Sequence, residues 1–466
     1  MVVRPSPLPR PNRRLRAKIA AARLAGAASR ATGRGGTSLP GKVLLALDQD
    51  AIGELAARLP SGTAAISATN GKTTTAAMTA AILEEAGHTL VHNHAGANMA
   101  GGVAGALLQA SPYADFGLFE VDEFWLDGLI DQLHPRAILL GNLFRDQLDR
   151  YGELEAIVER WQVMVDRHPE VTFVLNADDP VIADLGRDRT TGESVRYFGL
   201  EDAAVGRAEL SHASDAKHCR RCGAPLRYAV VFVAHLGHYH CDACGASRPA
   251  PQISAGPIAL GGLSGTAFTV STPDGAFSVE LPLPGLYNVY NALAAAALAF
   301  TLDASQTDID AGLTQIAPAF GRGESLAVDG HELLLLLVKN PTGANEVLRT
   351  LALEPEPLEL LVMLNDQTAD GRDVSWIWDA DYEVLAGHVA RVVCSGSRAA
   401  EMAVRLKYAG VDMAAISVER DPARALDLLV DGAAPAARLV AVPTYTAMLE
   451  LREVLVERGI ARGSFV

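Results

Sequence analysis

Six consecutive residues, Thr69 to Thr74, have the types that bind nucleotide phosphates. Their order is Thr-Asn-Gly-Lys-Thr-Thr, and they lie between a short apolar run and an Ala-rich segment. We therefore expect a strand before this loop and a helix over Ala76–Ala86 after it. The backbone N–H groups at the helix N-terminus would then point at the loop, and such an arrangement binds anions.

Individual side chains of the loop predict separate roles. Gly71 lets the backbone approach a phosphate, Lys72 can reach the β- and γ-phosphates, and the Thr73 hydroxyl can bind Mg²⁺. We expect Lys72 to be exposed until a nucleotide arrives. Ile66 stands where the full P-loop pattern has its first glycine, and a Gly-Lys-Thr tripeptide is common by chance, so the prediction depends on the flanking strand and helix. The loop residues predicted to bind ATP are Thr69, Asn70, Gly71, Lys72, Thr73 and Thr74.

An acidic cluster follows a second apolar run. Glu120 lies at the end of the predicted strand Phe116–Val121, and Asp122 and Glu123 come after it. A carboxylate at the tip of a strand beside a phosphate loop is where a Mg²⁺ ligand belongs. We predict that Glu120 binds Mg²⁺ together with Thr73, and that Glu120 and Lys72 are catalytic. The alternative is a solvated acidic loop.

Four of the five cysteines form two C-x-x-C pairs that are separated by 18 residues. Two such pairs can hold one tetrahedral Zn²⁺ with four thiolates, and a site with four protein ligands is structural because it has no open position. Nearby histidines leave a His-for-Cys exchange open, and a redox pair or free buried thiols are the alternative. The predicted zinc ligands are Cys219, Cys222, Cys241 and Cys244.

The elements that must position these residues follow from the apolar pattern. From Val43 to about Phe300, strand-like runs alternate with Ala-rich helical stretches, which predicts an α/β domain with a mainly parallel sheet. Residues of about 211–254 interrupt this pattern and hold both cysteine pairs, so we predict a small β-rich zinc-ribbon insertion. The predicted strands include Ala64–Ser67, Phe116–Val121, Ala137–Leu140 and Val171–Leu175.

A second α/β domain, Rossmann-like in its pattern, is predicted after Arg322. Its open sheet would bind ligands at the carboxyl ends of its strands. We predict a basic segment and linker over 1–42, an ATP-binding domain over 43–325 and the second domain over 326–466, with Gly33–Gly41 as the linker. The strands predicted for the second domain are Leu333–Val338, Leu358–Leu364, Val389–Cys394 and Leu439–Val442, with helices over Ala344–Leu353 and Ala399–Ala409.

Charge is unevenly distributed along the 466 residues. The net charge is −15, yet residues 1–34 carry nine Lys/Arg and no acid, which leaves −24 on the remainder. The acidic balance argues against generic binding to nucleic acid. A helix in the basic segment could lie on anionic lipid or on an acidic partner, and a solvated tail is the alternative. No apolar run reaches the roughly 18 residues of a membrane span, and no signal peptide is evident, so we expect a cytoplasmic chain.

Several motifs together resemble the Mur ligase family. The Thr69–Thr73 loop resembles its ATP loop, and Asn142–Arg150 resembles its Asn…Asp-His-Leu-Asp-Arg segment with Gln147 in place of His. The resemblance implies that Asn288 lies beside adenine and that Arg322 contacts ATP phosphate. Together the motifs cover roughly residues 43–330 in the right order. The other matching segments are Asn176–Pro180, Gly285–Ala292 and Gly321–Glu324.

Three departures point to one branch of that family. Gln147 places a second metal site of the usual kind in doubt, Lys339–Gly343 replaces the amino-acid-positioning segment, and the cysteine module is inserted. The runs Leu364–Asp379, Ser29–Thr37 and His92–Asn98 also resemble the Mur-ligase-like subunits of lipid II isoglutaminyl synthase. The resemblance implies ATP-dependent amidation of the D-glutamate α-carboxylate of lipid II, through an acyl phosphate, in peptidoglycan biosynthesis. Lipid II would be met at the inner face of the plasma membrane.

The source of ammonia implies a partner. A glutaminase needs a cysteine nucleophile with a His base, whereas four cysteines are committed to zinc and Cys394 ends an apolar strand. The resemblance supplies a GatD-type glutaminase subunit, forming a heterodimer, whose Cys–His pair would receive an acid from this chain. We predict Asp373 for that role, with Asp370 and Asp366 as alternatives; simple capping of a loop or helix is the other interpretation.

Two other functions stay open at this point. One is a Mur-type ligase that joins an amino acid to a peptidoglycan precursor or to folate, and ligation by the purified chain alone would reveal it. The other is a non-catalytic zinc-ribbon interaction protein, against which the intact Lys72, Thr73, Glu120 and Arg322 argue.

Overall fold

The computed structural model describes residues 7–31, 38–93, 97–145, 154–210, 214–316, 322–435 and 437–461, without the side chains of 28–31 and 322. No helix within these ranges is both long and apolar enough to cross a membrane. The predicted segment 146–150, the Gln147 position included, lies outside the described residues.

A nine-stranded sheet forms the larger unit. Its strand order is β11-β10-β9-β6-β5-β4-β1-β3-β2, parallel from β2 to β9, with β10 and β11 added antiparallel at one edge. The strands are β1 Gly62–Ser67, β2 Leu90–His92, β3 Phe116–Glu120, β4 Ala137–Leu140, β5 Thr172–Asn176, β6 Val195–Leu200, β9 Ile253–Leu260, β10 Thr266–Thr272 and β11 Gly275–Leu281.

Helices cover both faces of this sheet, because its parallel strands are apolar throughout and must be buried on both sides. The most buried of them is α9, an Ala-rich helix that packs against α4 and the central strands. The helices are α1 Arg13–Ala31, α2 Leu39–Leu47, α3 Ala51–Ala56, α4 Lys72–Glu85, α5 Ala100–Gln109, α6 Leu126–Leu133, α7 Leu154–Arg167, α8 Pro180–Leu185, α9 Leu286–Thr301 and α10 Gln306–Thr314.

The cysteine module is a two-stranded antiparallel hairpin, β7 Arg227–Val233 and β8 Leu236–His240, inserted between β6 and β9. The tip of the hairpin is buried rather than exposed: His235 is fully buried, and its ring lies 5.1 Å from that of Phe144. The module is therefore packed onto the edge of the sheet that carries the candidate site.

A second sheet of six strands has the order β12-β13-β17-β14-β15-β16, with only the β12–β13 pair antiparallel. Its core is distinct from that of the first sheet, except that Leu263 of the first unit packs into it. The elements are β12 Arg322–Val328, β13 His331–Leu336, α11 Pro341–Leu351, β14 Leu358–Met363, β15 Val389–Ser395, α12 Ala399–Tyr408, β16 Ile416–Val418, α13 Pro422–Gly432, β17 Arg438–Pro443 and α14 Tyr445–Glu457.

The predicted linker Gly33–Gly41 ends inside a helix, since α2 begins at Leu39. A Cβ at Gly41 would meet the Gly101 backbone oxygen at 1.9 Å, so this glycine serves the close packing of α2 on α5. The domain boundaries predicted at 42/43 and 325/326 fall within α2 and β12, and they remain predictions.

Candidate active site

The phosphate-type loop leaves β1 and enters α4 at one glycine. Gly71 has φ 85°, and a Cβ there would lie 2.0 Å from the Asn291 side-chain oxygen on α9. Both the left-handed backbone and the close approach require glycine at this position. The loop thus lies at the carboxyl end of a central parallel strand, with the N-terminus of α4 pointing into it.

The loop is held in shape from the neighbouring strand end. The Asn70 backbone N–H donates to Asn142 Oδ1 at 2.9 Å, and Asn142 Nδ2 donates back to the Asn70 carbonyl at 3.1 Å. The Phe144 N–H donates to Thr69 Oγ1 at 3.1 Å. Thr69 and Asn70 therefore position the loop through β4, before any nucleotide is bound.

Lys72 is buried, with 8% of its surface exposed, so the expectation of an exposed lysine was wrong. Its ammonium donates to the Ala68 carbonyl and forms an ion pair with Glu123 at 2.8 Å. Burial alone would lower its pKa, but the carboxylates of Glu123, Glu120 and Asp122 together raise it. Lys72 therefore stays charged, and Glu123 is the carboxylate that pairs with its ammonium.

Glu120 and Thr73 lie together, as a Mg²⁺ site would require. The Thr73 hydroxyl donates to Glu120 Oε1 at 3.1 Å, and Glu120 is 3% exposed. Asn93, at the end of β2, fixes the Glu120 backbone by accepting from its N–H at 2.9 Å and donating to its carbonyl at 2.7 Å. A hydroxyl and a carboxylate at a phosphate loop are the donor set that Mg²⁺ takes in such sites, so these residues fit the ion.

The start of α9 adjoins the loop. The Thr75 hydroxyl and Asn291 Oδ1 lie 3.4 Å apart, Asn291 Nδ2 donates to Asn288 Oδ1 at 3.1 Å, and Asn288 Nδ2 donates to the Pro284 carbonyl at 2.8 Å. Thr74 is buried beneath the loop. Asn291 thus contacts the loop, while Asn288 lies one helical turn away from it.

The second domain reaches the same loop. The side chains of Asn70 and Asn340 exchange two amide hydrogen bonds, of 3.3 and 3.0 Å. Asn340 also caps α11 by accepting from the Gly343 N–H at 2.9 Å. Arg322 begins β12, where its backbone pairs with Leu336, but its side chain is not described.

The four predicted zinc ligands converge. The Sγ atoms of Cys219 and Cys244 are 3.6 Å apart, those of Cys222 and Cys241 are 3.5 Å apart, and all four lie within 4.8 Å of one another. These separations are too long for disulfides, and sulfurs about 2.3 Å from one tetrahedral Zn²⁺ would lie roughly 3.8 Å apart. The cysteines therefore fit a single zinc ion.

Both cysteine pairs form the same turn. The Cys219 N–H donates to the Ala224 carbonyl and the Gly223 N–H to the Cys219 carbonyl, and the turn at Cys241 repeats both bonds. A hydrogen bond from the Cys244 N–H, opposed by burial and aided by the Ala243 N–H, lowers the pKa of the Cys241 thiol to about 7. The pKa of the Cys222 and Cys244 thiols is raised instead, because the hydrogen bonds of the Ala224 and Ala246 N–H groups, which lower it, are outweighed by contacts with the neighbouring cysteine sulfurs and by burial.

Ion pairs attach this module to the rest of the first domain. Arg248 donates to Asp178 at 2.5 Å, and Asp178 also accepts from Tyr290 of α9 at 2.7 Å. Arg221, inside the first cysteine turn, donates to Asp184 of α8 at 2.6 Å. Burial raises the pKa of Asp178 although Arg248 opposes the shift.

The three candidate aspartates of the second domain differ in their surroundings. Asp370 is buried and accepts from the Thr446 N–H and hydroxyl, and Asp366 accepts from Ser397 and Arg398, both at 2.8 Å. Asp373 is exposed and accepts from the Ser375 N–H at 2.8 Å; this bond, aided by one from the Ser375 side chain, lowers the pKa of its carboxyl.

A cavity of about 790 Å³ opens beside these aspartates, at the carboxyl ends of β14 and β17. Asp366, Arg372, Arg398 and Thr446 are among the residues that line it. This is the edge at which the sequence predicted ligands to bind in the second domain. The structure does not bring Asp373 into hydrogen-bonding contact with the phosphate loop, whereas Lys72, Thr73, Glu120 and Asn70 lie together.

Sequence reasoning missed the direct partners of the loop residues. Glu123 was noted only as a neighbour of Glu120, Asn93 only as part of a resembling segment, and Asn340 only as part of a replaced one. The signal that could have identified them is their position just after a strand. Parallel strands place the polar residues that follow them at one edge of the sheet.

Comparison with known proteins agrees with this geometry. Residues 66–299 match the Mur ligase middle domain, and residues 337–448 match the MurT ligase C-terminal domain. The chain is 34% identical over 435 residues to the lipid II isoglutaminyl synthase (glutamine-hydrolyzing) subunit MurT of Streptococcus pneumoniae, covering 92% of this chain and 94% of that protein. It is 33% identical over 439 residues to the Staphylococcus aureus N315 subunit of the same name, covering 93% and 96%.

Among solved structures, a pseudomurein peptide ligase type C from Methanothermus fervidus has the same fold. The TM-score is 0.67 at 23% identity, and the match covers 87% of this chain and 80% of that one.

Proposed function

The chain belongs to the MurT branch of the Mur ligase family, and from this premise we propose that it amidates the D-glutamate α-carboxylate of lipid II to D-isoglutamine, using ATP. The relatives are named as glutamine-hydrolyzing synthase subunits, and they match nearly the whole chain. The reaction would belong to peptidoglycan biosynthesis and would need a second subunit.

The phosphate loop supports the use of ATP. A carboxylate does not react with ammonia unaided, so phosphorylation must supply a leaving group. Lys72 would stabilise charge on the transferring phosphoryl group, with Arg322 as a second cation, and the N-terminus of α4 would bind the other phosphate oxygens. When bound at Thr73 and Glu120, Mg²⁺ would neutralise further phosphate charge. Thr69, Gly71, Thr74 and Asn288 complete the proposed nucleotide site.

Glu123 has a proposed role before the nucleotide binds. Its carboxylate pairs with the buried Lys72 ammonium, which otherwise would be left uncompensated. A phosphate that takes this place supplies the same charge. The lysine is therefore held in its binding orientation while the site is empty.

The ammonia would come from a GatD-type glutaminase subunit. The remaining cysteine, Cys394, is fully buried, and burial raises its pKa to about 12, so it cannot serve as the thiolate of a glutaminase. Asp373 is our proposed acid for the partner's Cys–His pair, because it is exposed and anionic while Asp366 and Asp370 are engaged within the domain.

An apolar surface near Asp373 supports docking of that subunit. Trp378 is 52% exposed and Tyr408 is 71% exposed, with their rings 6.0 Å apart, and Val404 lies one helical turn before Tyr408. Exposed aromatic side chains that are grouped in this way mark protein interfaces. Trp378 lies five residues after Asp373, so docking here would bring the partner to the proposed acid.

The zinc ion is proposed to be structural. Its four cysteines would leave no open position, and the module is attached through Asp178 to Tyr290, which lies between the two asparagines of the nucleotide site. Zinc would thus stabilise the elements that carry the site without taking part in the reaction.

The observation that carries the proposal is the assembled Lys72–Thr73–Glu120 site in a chain that matches MurT over its length. The test is reconstitution with a GatD-type subunit, followed by mass spectrometry of lipid II. We expect a product 1 Da lighter, because an amide replaces a carboxylic acid, only when ATP, Mg²⁺ and glutamine are all present. Amidation without ATP, or amino-acid ligation by the chain alone, would refute the proposal.

A further inference from the structure

The first helix, α1, presents an outward face that differs from the rest of this acidic protein. Leu15 and Ala22, seven residues apart, are buried against the first domain and fix the rotation of the helix. Asn12 caps its first turn by accepting from the Leu15 N–H at 2.8 Å. The opposite face is therefore presented outward in a defined orientation.

That outward face combines a small apolar ridge with arginines. At 100° per residue, Ala17, Ala20 and Leu24 lie opposite Leu15 and Ala22, and Leu24 is 72% exposed. Arg13 lies on the same ridge, with Arg14 on one side and Arg16 on the other, all three exposed. On a bilayer surface the arginines could reach the headgroups while Leu24 enters the interface, so binding would be mainly electrostatic.

The arginines are available for a ligand. Within the described part of the chain, no hydrogen bond or ion pair engages the guanidinium groups of Arg13, Arg14 and Arg16. The inward-facing cation Lys18 differs, because it pairs with Asp48 at 2.7 Å. A second acid, Glu54, also contacts this segment, but it accepts a hydrogen bond from the Asn12 side chain at 2.9 Å. The outward arginines are therefore not neutralised by the protein that we describe.

We propose that the outward face of α1 binds an anionic membrane surface. Residues 1–34 carry nine Lys/Arg and no acid, whereas the formal charge of the remaining residues is −24. An anionic membrane would therefore attract this face and repel the rest of the chain. The apolar ridge favours a bilayer over nucleic acid, which would use the charges alone, and the test below separates a bilayer from an acidic protein. This inference rests on the proposed function in one respect, the purpose of the binding. Binding to the membrane would hold the enzyme where a lipid-linked substrate is found.

The test is co-sedimentation of the full chain with vesicles, first without substrate. Vesicles of phosphatidylcholine with 30% phosphatidylglycerol are compared with pure phosphatidylcholine. We expect at least a tenfold stronger partition onto the anionic vesicles, weakened by 0.5 M salt because ions screen the attraction. Equal or absent binding to the two vesicles would overturn the proposal, as would retention only by an acidic protein or a nucleic acid.

Two variants define the face. The double variant Arg13→Glu/Arg16→Glu reverses two charges near the N-terminus of α1. Acidic residues stabilise this end of a helix, so α1 should stay folded while vesicle binding falls at least tenfold. Leu24→Ser tests the apolar ridge and should weaken binding less, because one side chain is truncated. The matched control is Arg420→Glu/Arg424→Glu, two exposed arginines of the second domain with the same change of charge. Equal loss in the control would mean that net charge, and not this face, governs binding.

Activity separates this inference from the proposed function. Amidation of detergent-solubilised lipid II should be unchanged in Arg13→Glu/Arg16→Glu, while amidation of vesicle-embedded lipid II should fall with binding. A wild-type chain that binds vesicles but never amidates lipid II would refute the proposed function alone. A chain that amidates both substrates equally well without binding vesicles would refute the membrane face alone.

Discussion

At the residue scale, Glu120 and Glu123 lie three positions apart, the first at the end of β3 and the second after it, yet they contact different groups. Glu123 forms an ion pair with the buried Lys72, whereas Glu120, among the described residues, accepts from the Thr73 hydroxyl, and Asn93 holds its backbone. We therefore expect Glu123→Gln to lower the melting temperature of the nucleotide-free chain, since breaking a buried pair costs about 3–5 kcal/mol. Saturating ATP–Mg²⁺ should restore most of that loss, because phosphate replaces the missing charge.

The matched variant Glu120→Gln should behave in the opposite way. Its nucleotide-free melting temperature should stay near that of the wild type, while ATP–Mg²⁺ should stabilise it less and its apparent Mg²⁺ affinity should fall by at least about tenfold. Thermal shift at several Mg²⁺ concentrations measures both effects. Indistinguishable profiles for the two variants would contradict the separate roles of the carboxylates.

Asp373 gives a second residue-scale prediction. Asp373→Asn should abolish glutamine-dependent amidation but retain amidation driven by a high concentration of free ammonia, because Asn keeps the shape but cannot stabilise an imidazolium. Asp366→Asn serves as the control: it weakens the bonds from Ser397 and Arg398 and should lower stability. Retained glutamine use in the Asp373 variant would move the proposed role to Asp370 or Asp366, and loss of both activities would place Asp373 at the phosphorylation site.

At the element scale, buried parallel strands were the most predictable feature. The predicted runs Ala137–Leu140, Phe116–Val121 and Leu358–Leu364 agree with the observed strands to within a residue, because continuous apolar runs bounded by polar ends specify such strands. The antiparallel addition of β10 and β11 was not predicted, since one face of each is exposed and the pattern alternates. The partner of Lys72 was not identified, because the sequence placed the end of β3 beside the loop but not which of its three acids meets the lysine; Glu123 is 51 residues away, and the pairing of β1 with β3 brings the two together.

The cysteine hairpin provides the element-scale prediction. Elemental analysis should find about one zinc per chain, and Cys244→Ser should lower both zinc content and melting temperature. Loss of the hairpin would also free Asp178, which is buried and paired with Arg248. The matched control is Cys394→Ser, a buried cysteine outside the cluster, which should keep its zinc. Metal-free protein with unchanged stability would contradict a structural zinc site.

At the scale of the whole molecule, two domains meet at the phosphate-type loop through the Asn70–Asn340 pair. Other contacts join the domains farther from the loop: Arg349 donates to the Phe232 carbonyl at 2.6 Å, and Glu354 accepts from the Leu263 N–H at 2.6 Å. The sequence predicted both domains but not this contact, because amide pairs between distant segments have no periodicity. The pair links the loop to the domain that carries Asp373.

Asn340→Ser tests that link, because serine can still cap α11 but is too short to reach Asn70. Two neutral hydrogen bonds contribute about 1–3 kcal/mol together, so their loss should raise KM for ATP by about 5- to 150-fold. The control Glu354→Ala breaks an interdomain contact away from the loop and should leave KM for ATP unchanged. Without nucleotide, small-angle scattering should show that both variants are more open than the wild type. Addition of ATP–Mg²⁺ should close Glu354→Ala more completely than Asn340→Ser. An equal rise in KM for the two variants would mean that domain closure in general, and not the amide pair, positions the loop.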